Sequence, residues 1–67
     1  MAKAYKKIEI VGISKDSLSN AIDHAIEKAN DTLHGLAWFE VAEMRGKIED
    51  GKVSEYQATV RIGFKLD

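Results

Sequence analysis

The chain has 67 residues, 45% of them apolar, a formal charge of −1 and no cysteine. One small domain is expected, with no thiolate or disulfide chemistry and no basic field of the kind that captures phosphate backbones. A chain this short seldom stabilises itself through one core, and with disulfides excluded and only His24 and His34 as imidazoles, oligomerisation is the support that remains.

No apolar run is long enough to cross a bilayer. Met1 to Lys7 carries charge with no apolar stretch behind it, so it does not read as a signal peptide. A cytoplasmic protein with a single domain over residues 1–67 is the expectation.

Ile8, Ile10, Val11 and Ile13 mark a strand from Tyr5 to Ile13, with apolar residues on both faces, so that cover on both sides is expected. Asp16 or Ser17 can cap a helix running to about Leu33. Its apolar stripe is Leu18, Ile22, Ala25, Ile26, Ala29 and Leu33, and Asn20, Asp23, His24, Glu27, Lys28 and Asp31 face water. His34-Gly35 then supplies a cation and a left-handed stop at the helix end.

From Leu36 to Glu49 and from Lys52 to Leu66 the apolar period becomes two, and Asp50-Gly51 between them is a hairpin signal. A two-residue turn pairs Glu49 with Lys52, so opposed residue numbers sum to 101. Tyr56, Ala58, Val60, Ile62, Phe64 and Leu66 then face the helix, joined by Phe39 and Val41 as core. Trp38 falls on the opposite face with Glu40, Ala42 and Met44, beside Gln57, Thr59 and Arg61.

No other part of the chain can cover that face. An indole and an amide suit a planar ring with an imide edge, the one by stacking and the other by hydrogen bonding. Trp38 lies across from Gly63, six residues from Gln57, or roughly 20 Å along a strand. If both serve one ring, a second subunit must contribute one of them. The unusually long outgoing strand, projecting past a single helix, leads to the same expectation of a multi-subunit shell.

The pattern Trp38-Phe39-Glu40-Val41-x-Glu43-x-Arg45-Gly46-x-Ile48-x-Asp50-Gly51-x-Val53-x-x-Tyr56-Gln57-x-Thr59-Val60-x-Ile62-Gly63-Phe64-Lys65-Leu66, after a strand and a helix, resembles the dodecin family over essentially the whole chain. The resemblance implies an α+β subunit of β-α-β-β order, its three-stranded antiparallel sheet partly wrapped around one amphipathic helix, assembling into a hollow homododecamer. It also implies a non-enzymatic protein that stores flavin (FMN, riboflavin, FAD or lumichrome) and quenches its photochemistry, with coenzyme A as a further ligand in some members.

By that resemblance Trp38 matches the residue that stacks on the isoalloxazine, and Gln57 the residue that bonds its pyrimidine edge. Arg45 matches a basic residue near the ribityl phosphate. Lys65 stands where arginine is frequent and Met44 where glutamine is common; a lysine keeps the charge but loses the bidentate fork. Two other readings follow from the same residues: a purely structural oligomer with Trp38 buried between chains, and a flavin-dependent oxidoreductase. Arg45 could instead pair with Glu43 or Glu55. Those two glutamates lack a nucleophile or metal beside them and read as ion-pair partners, not as an acid/base couple.

Overall fold

The computed structural model describes residues 3–66. The elements are β1 (Tyr5–Ser14), α1 (Leu18–Asn30), β2 (Leu36–Glu49) and β3 (Lys52–Lys65), in one antiparallel sheet of order β1-β3-β2. The long return strand is therefore central, and it carries the largest fully buried side chains, Val60 and Ile62.

Ser17, not Asp16, caps α1: its side chain accepts from the Asn20 amide at 2.9 Å. Buried Ser14 closes the same corner, accepting from the amides of Asp16 at 2.9 Å and Ser17 at 3.4 Å and donating to Asn20 Oδ1 at 2.8 Å. Asn20 thus belongs to the joint between β1 and α1 and does not simply face water. His24 likewise donates from Nδ1 to the Ile13 carbonyl at 2.7 Å, which ties the helix to the strand.

The helix is shorter than its periodicity suggests. It ends at Asn30, and Leu33 is reached through a tight turn in which its amide still bonds the Ala29 carbonyl at 3.0 Å. Gly35, at φ +71°, consequently does not terminate the helix; it turns the chain into β2, and its carbonyl accepts from the Lys65 amide.

α1 buries Ala21, Ala25 and Ala29 against β1 and β3, with Ile22, Ile26 and Leu33 packed around them. Alanines are required there because the strand approaches closely: a Cβ on Gly12 would lie 1.9 Å from the Ala21 carbonyl oxygen and 2.8 Å from Ala25 Cβ. Ala21 was not in the expected stripe, yet it is fully buried.

Glu49 pairs with Lys52 across Asp50-Gly51, both turn residues having positive φ, as a two-residue hairpin with right-handed strand twist demands. The register then departs from a uniform sum. An extra residue at Ser54 shifts the pairing by one, and a second at Ala42, on the facing strand, restores it before Val41, Phe39 and Trp38 meet Val60, Ile62 and Gly63. A third irregularity at Ala37 brings Leu36 opposite Phe64.

Between the first two bulges the faces of β2 exchange, because side chains alternate and one inserted residue reverses the alternation. Met44 pairs with Ala58 and therefore lies on the helix side, not beside Trp38. Glu43 and Arg45 take the Trp38 side, opposite Thr59 and Gln57.

Phe39 and Val41 sit on the helix side as expected but are not core residues of the isolated chain, being 48% and 38% exposed. The helix covers β1 and the later part of β3 and leaves most of β2 and the hairpin tip beyond its reach, so Met44, Ile48 and Val53 are exposed as well. On the other face Val11 and Ile13 are uncovered too, so within one chain β1 has cover on only one side.

These proportions define a chain that is unfinished alone. Its core consists of four alanines, one valine and one isoleucine. The radius of gyration is 13.9 Å over extents of 55 × 20 × 13 Å, whereas a compact domain of this length would have about 11 Å. The excess is the projecting hairpin, and its apolar side chains need a partner to leave water.

Candidate functional site

Trp38 emerges at the start of β2 on the sheet face opposite α1 and rests on the backbone of Gly63. The fit is close enough that a Cβ on Gly63 would stand 2.3, 2.4 and 2.6 Å from the indole atoms Cζ2, Cε2 and Cη2. Only glycine permits this approach. The Tyr5 ring, contributed by β1, lies 5.0 Å from the indole between centroids and is inclined by 58°, so the aromatic ring is held from two directions. Trp38 nevertheless remains 43% exposed.

Beside this aromatic platform runs a line of alternating charge. Lys7 bonds Glu40 at 2.6 Å, and Arg61 bonds Glu9 at 3.0 Å. The Lys7 ammonium holds the Glu40 carboxyl below the usual glutamate range, first by its hydrogen bond and then by its charge. Those pairs are solvent-exposed and contribute little to stability individually. Their effect here is to compensate these four charges on the face that carries the indole.

Further along the same face stands a polar relay that the uniform register could not place. The bulge at Ala42 puts Arg45 directly across from Gln57. Arg45 Nε donates to Gln57 Oε1 at 3.0 Å, and Gln57 Nε2 donates to Glu55 Oε2 at 2.8 Å. A guanidinium can only donate and a carboxylate only accept, so the two partners dictate which end of the amide is which. One lone pair and one amide hydrogen of Gln57 are left for a further partner.

Arg45 is thus neither ion-paired to Glu43 nor to Glu55; the amide stands between it and the latter. Lys47, which faces Glu55 across the strands, directs its ammonium to Glu49 at 3.3 Å instead. Lys65 shares the Trp38 side of β3 with Gly63, at the sheet end, opposite Tyr5, and is exposed.

The four residues expected at a site therefore fall in two groups. Trp38 and Lys65 flank Gly63 at one end, while Gln57 and Arg45 lie together six positions away along β3. One chain does not bring them onto a single small ring. A recess between the helix and the start of β2, lined by Ile26, Leu36, Ala37, Trp38, Phe39 and Ile62, has about 140 Å³, well under the roughly 300 Å³ at which ligand pockets begin.

A larger groove of about 430 Å³ opens between β1 and α1, lined by apolar residues with His24 and Lys28 at its rim. It lies on the helix side and contains none of the four. Among the described residues no group of three or more His, Cys, Asp or Glu side chains is placed to hold a metal ion, and no helix is long and apolar enough to cross a membrane.

Three roles on this face were not anticipated from the sequence: Gly63 as the bed of the indole, Tyr5 as its lateral support, and Glu55 as the carboxylate that accepts from Gln57 instead of pairing with Arg45. A glycine in a strand of alternating apolar and polar residues, directly opposite a tryptophan, was the legible signal for the first.

The chain and its fold have counterparts among known proteins. The sequence model of the family described as Dodecin matches residues 4–67. A dodecin from Thermus thermophilus is 48% identical over 67 residues, spanning 100% of this chain and 97% of the relative. A crystal structure of a Thermus thermophilus protein superposes with a TM-score of 0.95 at 47% identity, covering 98% of this chain and 97% of that one. The dodecin structure from Streptomyces coelicolor gives 0.94 at 42% identity, with 97% and 93% covered.

Proposed function

Because this chain belongs to the dodecin family, we propose that it is a non-enzymatic flavin-binding protein whose indole, Trp38, stacks on the isoalloxazine at a subunit interface. The observation that carries this reading is the indole itself: a large aromatic ring supported on one side by the Gly63 backbone and laterally by Tyr5, yet left 43% exposed. A planar apolar surface fixed in that way is a stacking surface.

The residues fit a flavin. Its tricyclic ring matches the indole, and its imide edge, an N–H between two carbonyls, matches the free lone pair and free hydrogen of Gln57. Since one chain sets these six strand positions apart, the two contributions come from different subunits, related by a two-fold axis. The uncovered apolar residues of β2 and the 13.9 Å radius of gyration support an obligate assembly, and the family resemblance sets it at twelve chains.

Arg45 places its Nε on Gln57 and keeps its terminal nitrogens as donors, which suits the ribityl phosphate of FMN. Lys65 offers a second cation at the Trp38 end. With the ring between aromatic faces there is no open face for a substrate, and the reading is therefore storage and photochemical quenching, not turnover.

Titration of FMN and riboflavin fluorescence with the purified protein tests this. Quenching should saturate near one flavin per chain. Trp38→Ala should lose most of the affinity with assembly intact, and Arg45→Ala should weaken FMN more than riboflavin. Unchanged affinity in the Trp38→Ala protein would remove the stacking role.

A further inference from the structure

We infer that Glu55 is the positioning residue that fixes the polarity of the Gln57 amide, and so makes the site selective for a ring that presents an imide N–H. The inference rests on the flavin reading above and concerns a residue that does not itself touch the ligand.

Glu55 and Gln57 are two apart on β3 and so share a face, both half-buried. The Glu55 carboxylate has a cation opposite it in Lys47, yet that ammonium goes to Glu49 and the carboxylate accepts from Gln57 Nε2 at 2.8 Å. With Arg45 Nε on Oε1 at 3.0 Å, the amide is anchored at both ends by charged groups of opposite hydrogen-bonding character. Turning the amide over would forfeit both charge-assisted bonds and set NH2 against guanidinium and C=O against carboxylate.

The consequence is chemical. A locked amide offers its acceptor at one position and its donor at the neighbouring one, and the complement is a ligand with an N–H beside a carbonyl. A ligand alkylated at that nitrogen leaves the Oε1 lone pair unfilled in a closed site, which is heavily penalised. Without Glu55 only Arg45 orients the amide. The side chain can then swing or invert, and present a hydrogen to either kind of ligand.

The test is the ratio of dissociation constants for riboflavin and its N3-methyl derivative, measured by fluorescence titration on the assembled wild-type protein, Glu55→Ala and Glu55→Gln. The last keeps the size of Glu55 but can donate as well as accept, so it no longer enforces an orientation. Native mass verifies that each variant assembles. The wild type should prefer riboflavin by about tenfold or more, corresponding to the loss of one well-made bond. Both variants should bind riboflavin more weakly and show a ratio reduced to about threefold or less.

If both ligands weaken by the same factor, so that the ratio is unchanged, Glu55 is merely structural and the inference is overturned. A wild-type protein that binds both flavins equally well would also overturn it while leaving stacking on Trp38 intact. Failure of the wild type to bind riboflavin at all would instead overturn the flavin reading, and the inference with it.

Discussion

Replacing Gly63 with alanine isolates the seat of the indole from every other feature of the fold. Gly63 does not need positive φ, since among the described glycines only Gly35 and Gly51 have it, so alanine introduces no backbone strain. In a strand interior it should even help, by about 0.5–1 kcal/mol of lost chain entropy. The whole penalty falls on Trp38. Contacts of 2.3–2.6 Å must relax to the 3.5 Å or more of ordinary carbon contact, which moves the ring by about 1 Å. A ring that is still 43% exposed can make that shift.

Overpacking of this kind costs about 1–3 kcal/mol when the surroundings are rigid. Set against the backbone gain, the net change in stability should lie between nearly zero and about 2.5 kcal/mol of loss. Flavin binding should suffer more, falling by about tenfold or more, because a 1 Å displacement separates the indole from the ring it stacks on. Two assays report independently. The chain has one tryptophan, so intrinsic emission monitors the indole directly, and FMN quenching monitors binding. A shifted emission together with weakened binding is expected. Unchanged emission and unchanged FMN affinity would refute the claim that Gly63 positions the indole.

Other consequences are of different kinds. Gly12→Ala should be far more damaging than Gly63→Ala, because the new methyl meets a helix carbonyl at 1.9 Å and cannot be accommodated by a side-chain rotation. A loss of about 3 kcal/mol or failure to assemble is expected in thermal denaturation, and a melting temperature equal to the wild type would contradict the close strand–helix approach. For Lys7→Met the expectation concerns pH. Glu40 is depressed in the folded chain by Lys7, so its contribution is present above the unfolded carboxyl value and disappears as pH falls through the folded one. The variant should therefore melt below the wild type at neutral pH and converge with it in acid, while the Glu40 carboxyl, followed by NMR, should titrate at higher pH. A gap that persists in acid would assign Lys7 a packing role instead.

Much of the architecture was legible because short-range chemistry fixes it. Asp50-Gly51 determines the hairpin, the alanine and isoleucine spacing determines the helix, and Trp38 opposite Gly63 follows from counting outward from the turn. What the count could not contain were the bulges at Ser54 and Ala42, whose backbone irregularity leaves no residue-type signature here. They cancel before Trp38, which is why its partner was right. They do not cancel at Met44 and Arg45, which is why Met44 was assigned to the wrong face and the bond between Arg45 and Gln57 was not anticipated.

The helix end shows a different cause. Leu33 continues the apolar period, so periodicity alone runs the helix to it, but the chain must turn toward β2 and leaves the helix at Asn30. Phe39 and Val41 were placed on the correct face but overestimated as core. Side-chain alternation tells which way a residue points; whether one helix is wide enough to cover three strands is a matter of tertiary geometry. The same shortage of cover is what a neighbouring subunit would supply.

Native mass spectrometry of the protein reconstituted with FMN tests the central claim most directly. A species of about 90 kDa, twelve chains of 7.5 kDa, carrying FMN up to one per chain is expected. Isolated chains or dimers that bind no flavin, or a dodecamer that stays empty at saturating FMN, would contradict it.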